Sequence, residues 1–222
     1  MQEIKNIKCA LFDFDGTLFD SMYVWEEAGK VFLGSLGKEP KPDMRETVRN
    51  MSMAQSAEYI KTEYGLELSV EEIIAGIDKT VENYYINMVQ PKPGLPELLE
   101  HLKNAGAVLC IATATDRYLI EAALKRCGLL GFFDAIFTCN EVGTGKNEPL
   151  IFRKAMEHFG ANRENTVVFE DALYAAKTAK ADGYKVVAVY DKGEKDQAEL
   201  KRIADLYLAS FEDKSPFKLL SK

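Results

Sequence analysis

Two aspartates one residue apart, Asp13 and Asp15, close an apolar run in "CALFDFDGTLFDS" (9–21). Phe12 and Phe14 flank them, so both carboxylates are expected where water is scarce. Two such anions repel by roughly 4 kcal/mol at 4 Å with an effective dielectric of 20. A cation must come to them, or one of them must hold a proton. Three later runs end in further polar groups, a hydroxyl, an ammonium and two more carboxylates: "IAT" closes on Thr113, "GTGK" on Lys146, and "VVFED" on Glu170 and Asp171. Clustered carboxylate oxygens suit a hard divalent cation, and magnesium where a phosphate shares the site. A carboxylate pair neutralised in this way has two tasks open to it, nucleophile and general acid/base. Thr113 and the backbone amides of Ala114 and Thr115, at a helix N-terminus, would hold phosphoryl oxygens, with Lys146 cancelling the remaining charge. The set suits phosphoryl transfer.

Each residue alone also has a structural reading. "DGT" is ordinary turn chemistry, Glu170 and Asp171 suit a helix cap, Thr113 suits any strand, and Lys146 suits any surface. A calcium loop of the EF-hand kind does not fit. It needs a third acid before its glycine and a glutamate at its twelfth position, where Val24 stands.

These residues act together only if the chain gathers them. Five continuous apolar runs predict strands buried on both faces: 8–14, 107–113, 134–138, 166–170 and 185–190, with "DLYL" (205–208) as a sixth. Helical patterns alternate with them, such as Leu95, Leu98, Leu99 and Leu102 ended by Gly106, and Ile151, Phe152, Ala155, Met156 and Phe159 ended by Gly160. This predicts an α/β, Rossmann-like open parallel sheet with helices on both faces. In such sheets ligands bind beyond the carboxyl ends of the strands, where the acids, Thr113 and Lys146 all fall. Residues 20–90 carry only helical signals, including a capping box at Ser69 and Glu72 and a Met53, Ala57, Ile60, Tyr64 stripe. They predict an inserted all-helical domain, leaving 1–19 and 91–222 as the core.

The totals narrow the function further. The chain has 222 residues, 47% hydrophobic and 28% charged, which is ordinary for a globular protein with a real core. A net charge of −7 speaks against nucleic-acid or anionic-membrane partners but allows a small anion held by local cations. No run reaches signal-peptide or membrane-span length, and Cys9, Cys110, Cys127 and Cys139 lack metal spacing. Reduced thiols in a cytoplasmic, monomeric protein are therefore expected. His101 and His158 both fall in helical patterns, which argues against a histidine-based site.

In order and spacing, "DFDGTLFDS", "IAT", "GTGK" and "VVFED" resemble the four motifs of the haloacid dehalogenase superfamily. The helical insertion after the first motif resembles the α-helical cap of the β-phosphoglucomutase-like phosphatases. The resemblance implies that Asp13 attacks phosphorus and becomes an aspartyl phosphate. Asp15 would protonate the leaving oxygen and then deprotonate the hydrolytic water. It further implies magnesium held by the Asp13 carboxylate, the Asp15 backbone carbonyl and Asp171, with Glu170 nearby, while Thr113 and Lys146 position the phosphoryl group. The implied function is a magnesium-dependent phosphatase of a small phosphorylated metabolite, a sugar or polyol phosphate. Two alternatives stay open: a sugar phosphomutase, and a catalytically silent binding protein on the same fold.

The chain also departs from the pattern. Asp15 argues against carbon–halogen and carbon–phosphorus cleavage, which relatives lacking the second aspartate perform. The usual Lys-Pro-x-Pro-Asp reads Lys146-Asn147-Glu148-Pro149-Leu150, and Ala172 and Ala175 replace a common serine and glycine. Trp25 stands where the mutases carry a histidine. Lys41, Arg45 and Arg49 are the cap cations expected to face an anion, with Arg45 and Arg49 on one helix face, and Trp25 either lines the pocket or packs in the cap.

Overall fold

Continuous apolar runs become a sheet only when both faces are covered, and six of them do so here. The computed structural model describes residues 4–48, 51 and 53–220. Its strands are β1 (Cys9–Phe12), β2 (Phe19–Asp20), β3 (Gln90–Pro91), β4 (Val108–Thr113), β5 (Ala135–Thr138), β6 (Thr166–Glu170), β7 (Lys185–Val189) and β8 (Leu206–Leu208). Six of them form one parallel sheet in the order β5-β4-β1-β6-β7-β8. The first of the six strands is central and the order reverses beside it, which makes the carboxyl end of β1 the topological switch point. Register aligns Phe12 with Ile111 on one side and Phe169 on the other, so the residues that follow all three emerge side by side.

The helices are α1 (Met22–Ser35), α2 (Met44–Val48), α3 (Met53–Tyr64), α4 (Val70–Asn87), α5 (Leu95–Asn104), α6 (Arg117–Arg126), α7 (Cys139–Val142), α8 (Leu150–His158), α9 (Leu173–Ala181) and α10 (Gln197–Ile203). Alternate strand residues Cys9, Leu11, Cys110, Ala112, Val168, Val186 and Ala188 share one core with Ile151, Phe152, Ala155 and Met156 of α8 and Ala176 and Ala179 of α9. Toward the opposite face, Leu95, Leu98, Leu99 and Leu102 of α5 are fully buried, and α5 packs on β4. Phe12 and Phe169 stack at 4.3 Å between ring centroids on adjacent strands, stiffening the pair that carries the acids.

The chain divides into two compact units, Met1–Ser21 with Val89–Lys222, and Met22–Met88. These boundaries lie two residues inside the 20–90 insertion expected from sequence. In the helical unit α1 and α3 both pack on α4, whose buried face is Ile73, Ile77, Val81 and Tyr85. Ser69 and Glu72 form the expected reciprocal cap at its start, with Glu72 N–H donating to Ser69 Oγ at 3.1 Å and Ser69 N–H to Glu72 Oε2 at 2.7 Å. Gly76 is required by packing, since a Cβ there would lie 2.2 Å from the Phe32 ring. Met53, at the start of the predicted apolar stripe of α3, is exposed instead.

Several elements differ from expectation. The first predicted strand stops at Phe12, so Asp13 is the first residue beyond it. The β2–β3 antiparallel pair sits at the two ends of the segment read as purely helical, and a short helix, α7, precedes Lys146. The tail, uninformative in sequence, forms a 3-10 turn over Ser215–Leu219 with Pro216 and Phe217 buried. His101 Nε2 lies 2.8 Å from the Leu220 carbonyl oxygen, and His158 meets Phe137 and Phe159 edge-on, so both histidines serve packing. All four cysteines are free thiols, with Cys9, Cys110 and Cys139 buried. Among the described residues no helix is long and apolar enough to cross a membrane.

Candidate active site

The first turn of the site forms because its glycine permits it. Gly16 has φ +76°, in the left-handed region that side chains disfavour. Its N–H donates to Phe19 O at 2.9 Å, while Leu18 and Phe19 N–H donate to Phe14 O at 2.9 and 3.0 Å. A Cβ on Gly16 would lie 2.3 Å from Asp171 Oδ2, so the absence of a side chain lets the two motifs touch. Thr17, fully buried in this turn, donates from Oγ1 to Asp171 Oδ1 at 2.8 Å. Asp13 N–H donates to Phe169 O at 3.0 Å, continuing the β1–β6 ladder past the strand end.

Around this turn the sheet assembles four acids and one ammonium. Lys146 Nζ is 2.6 Å from Asp13 Oδ1 and 2.6 Å from Glu170 Oε1. Glu170 Oε2 accepts from Ala172 N–H at 3.3 Å. Asp15 is gripped at both oxygens, Oδ1 accepting from Ser21 Oγ at 2.6 Å and Oδ2 from Thr115 Oγ1 at 2.5 Å. Burial pushes the Glu170 carboxyl up to about 7, with Lys146 pulling the other way and Asp13 adding to the rise. Burial, then the charges of Asp13 and Glu170, hold Asp171 well above the usual aspartate range. Burial alone would lower Lys146, but Asp13 and Glu170 outweigh it and hold the ammonium far above its ordinary value.

One ammonium leaves this group short of positive charge. Oxygens of Asp13, Glu170 and Asp171 all lie within 4.8 Å of one another. A three-carboxylate, all-oxygen donor set, in which burial raises Glu170 and Asp171, fits a hard divalent cation, which would relieve the repulsion among the carboxylates.

The sheet therefore brings Asp13, Asp15, Lys146, Glu170 and Asp171 together. Thr113 closes β4 as expected and is buried, but its Oγ1 accepts the Thr115 N–H at 3.2 Å, so that amide is engaged internally. Helix α6 begins only at Arg117, with Asp116 at its N-cap, which leaves exposed Ala114 in the preceding turn rather than in the helix. This corrects the placement of residues 114 and 115 at the helix N-terminus. The cap candidates fare differently. Trp25 is 44% exposed, with its edge against Tyr85 at 6.4 Å within the helical unit. Lys41 is exposed and ion-paired with Glu63 in the same unit. Arg45 lies on α2, and its side chain and the whole of Arg49 fall outside the described residues. Sequence reading missed Thr17 and Ser21, and of Thr115 it named only the backbone amide and not the hydroxyl. Thr17 and Ser21 sit inside the quoted first motif, but a hydroxyl's partner is set by the fold rather than by spacing.

With this geometry established, likeness to known proteins is informative. The family of haloacid dehalogenase-like hydrolases matches residues 10–189, and the chain belongs to that family. A phosphorylated carbohydrates phosphatase of Thermotoga maritima is 25% identical over 177 residues, covering 80% of this chain and 82% of that protein. A Thermotoga maritima structure assigned as a beta-phosphoglucomutase superposes with a TM-score of 0.83 at 23% identity, over 96% of this chain and 98% of the other. The CbbY protein of Rhodobacter sphaeroides, solved with phosphate, superposes with a TM-score of 0.74 at 23% identity, over 94% and 96%. These two structural likenesses concern the fold.

Proposed function

We propose that this chain is a magnesium-dependent phosphatase that hydrolyses a small phosphorylated metabolite, a sugar or polyol phosphate, through an aspartyl phosphate on Asp13. The observation that carries the reading is the buried Asp13–Lys146–Glu170 contact beside Asp171, with Asp15 held separately by two hydroxyls. The site so divides into a charged cluster able to receive a phosphoryl group and a carboxyl oriented for proton transfer.

An Asp13 oxygen attacks phosphorus while the ester P–O bond breaks, and Asp15 delivers its proton to the departing oxygen. Water then attacks the phosphorus of the aspartyl phosphate, Asp15 takes its proton, and Asp13 leaves as a carboxylate. Lys146 and Thr113, with the Ala114 backbone amide, orient the phosphoryl oxygens. The Asp13 and Asp171 carboxylates and the Asp15 carbonyl would hold magnesium, with Glu170 beside them, and the ion would neutralise charge on the phosphoryl oxygens. The name of the Thermotoga phosphatase relative supports the sugar-phosphate class.

The likeness in fold to a beta-phosphoglucomutase keeps a mutase as the second reading, in which a sugar rather than water takes the phosphoryl group. The test is phosphate release by purified protein with magnesium from a panel of sugar, polyol, nucleotide and amino-acid phosphates. Release from one chemical group, lost with a chelator, supports the phosphatase. Isomerisation of a bisphosphate-primed sugar phosphate without release supports the mutase. Silence in both assays overturns the enzymatic reading.

A further inference from the structure

The Thr115 hydroxyl has no part in the steps above, yet it makes a short contact to Asp15. It donates to Asp15 Oδ2 at 2.5 Å, opposite Ser21 on Oδ1 at 2.6 Å. The same residue donates its backbone N–H to Thr113 Oγ1 at 3.2 Å, and it is buried. The turn that carries it is fastened to α7 and β5. Asn140 Nδ2 donates to Asp116 Oδ1 at 2.6 Å. Arg117 donates from Nε and Nη2 to the two Glu141 oxygens at 2.6 and 2.8 Å, and from Nη2 to the Ile136 carbonyl at 2.6 Å. The hydroxyl is thus presented by an anchored turn.

A hydroxyl both donates and accepts, so its contact with Asp15 survives either protonation state of the carboxyl. Thr115 donates to Oδ2 of the carboxylate, and it still donates to Oδ2 when the carboxyl proton is carried on the other oxygen. A lysine or backbone amide at this place would favour the anion only.

We infer that Thr115 is a positioning residue that aims the Asp15 carboxyl at the leaving oxygen and does not itself bind the phosphoryl group. The inference rests on the phosphatase reading. In the first half-reaction an Asp13 oxygen bonds to phosphorus, the bridging P–O bond breaks with its electron pair on the departing oxygen, and the Asp15 proton moves to that oxygen. Asp15 is left as a carboxylate with Thr115 still donating to Oδ2. A sugar alkoxide needs that proton in order to leave, whereas nitrophenolate leaves without it. Loss of aim should therefore penalise a sugar phosphate and spare an aryl phosphate, while loss of a phosphoryl contact would penalise both alike.

The experiment measures kcat/KM, which reports on steps up to formation of the aspartyl phosphate. Full-length wild type, Thr115→Val and Thr115→Ser are compared with magnesium on p-nitrophenyl phosphate and on the sugar phosphate that wild type cleaves fastest. In Thr115→Val the sugar-phosphate value should fall at least about tenfold, a part of what general acid catalysis supplies, with the aryl value within about twofold. Thr115→Ser should restore the sugar-phosphate value. Equal losses on both esters, or no loss on either, overturn the assignment while leaving the phosphatase intact. A wild type that cleaves neither ester overturns the phosphatase reading and this inference with it.

Discussion

Lys146 Nζ and Glu170 Oε1 meet at 2.6 Å where both side chains are almost completely shielded from water. The same ammonium is 2.6 Å from Asp13, so one cation serves two carboxylates from different motifs. Removing one partner of such a buried pair strands the other charge. Lys146→Met should therefore destabilise the metal-free protein by ~3 kcal/mol and abolish turnover. Urea unfolding in the presence of a chelator checks the first part. An unchanged midpoint would mean that the pair is not what holds these motifs together.

Stability should also depend on pH in a direction set by the acids. Glu170 titrates near 7 in the folded protein because burial raises it, and Asp171 is raised in the same sense. Between the unfolded value of about 4.3 and this folded value, the folded state binds protons that the unfolded state has released. That contribution is fully present below the unfolded value and is lost as pH rises through about 7. Melting temperature with a chelator should fall between about pH 6 and about pH 8, and magnesium should reverse most of the fall by binding the folded state. A chelated protein whose melting temperature holds level or rises across that range would contradict the proposed charge imbalance.

Gly16→Ala tests the close approach of the first and last motifs. The backbone at φ +76° strains any side chain by about 1–2 kcal/mol, and the new methyl would overlap the Asp171 carboxylate. The expected outcome is a folded protein that no longer gains thermal stability from magnesium. Retention of the wild-type magnesium-induced shift would show that this contact does not shape the cluster.

Ser69→Ala probes the helical unit alone. It removes the Ser69 side of a reciprocal cap and should cost about 1 kcal/mol of stability. Denaturant titration reads the loss, and phosphate release at saturating substrate should be unaffected.

What could be read from the sequence follows from how each feature is encoded. Strands buried on both faces are written as continuous apolar runs, so "TVVFE" matched β6 residue for residue. Chemistry at strand ends was legible because a parallel sheet places every carboxyl end on one edge, and Asp13, Lys146, Glu170 and Asp171 gather there. The β2–β3 pair was invisible because two residues per strand carry no periodicity. Helix α7 is four residues long and held by the Thr138–Glu141 cap, too short to show a helical period in the sequence. Hydroxyl partners such as Thr17, Ser21 and Thr115 depend on tertiary proximity. So does the Lys41–Glu63 pairing.

Asp13 as the phosphoryl acceptor is the claim on which the account depends most. The most direct measurement is mass spectrometry of acid-quenched protein after brief incubation with magnesium and p-nitrophenyl phosphate, whose leaving group departs without the Asp15 proton, in wild type, Asp15→Asn and Asp13→Asn. The account predicts one phosphoryl adduct on the peptide containing Asp13, a larger adduct population in Asp15→Asn where the hydrolytic water lacks its base, and neither adduct nor phosphate release in Asp13→Asn. Phosphate release by Asp13→Asn at a rate comparable to wild type, with no adduct on Asp13 in any variant, would contradict it.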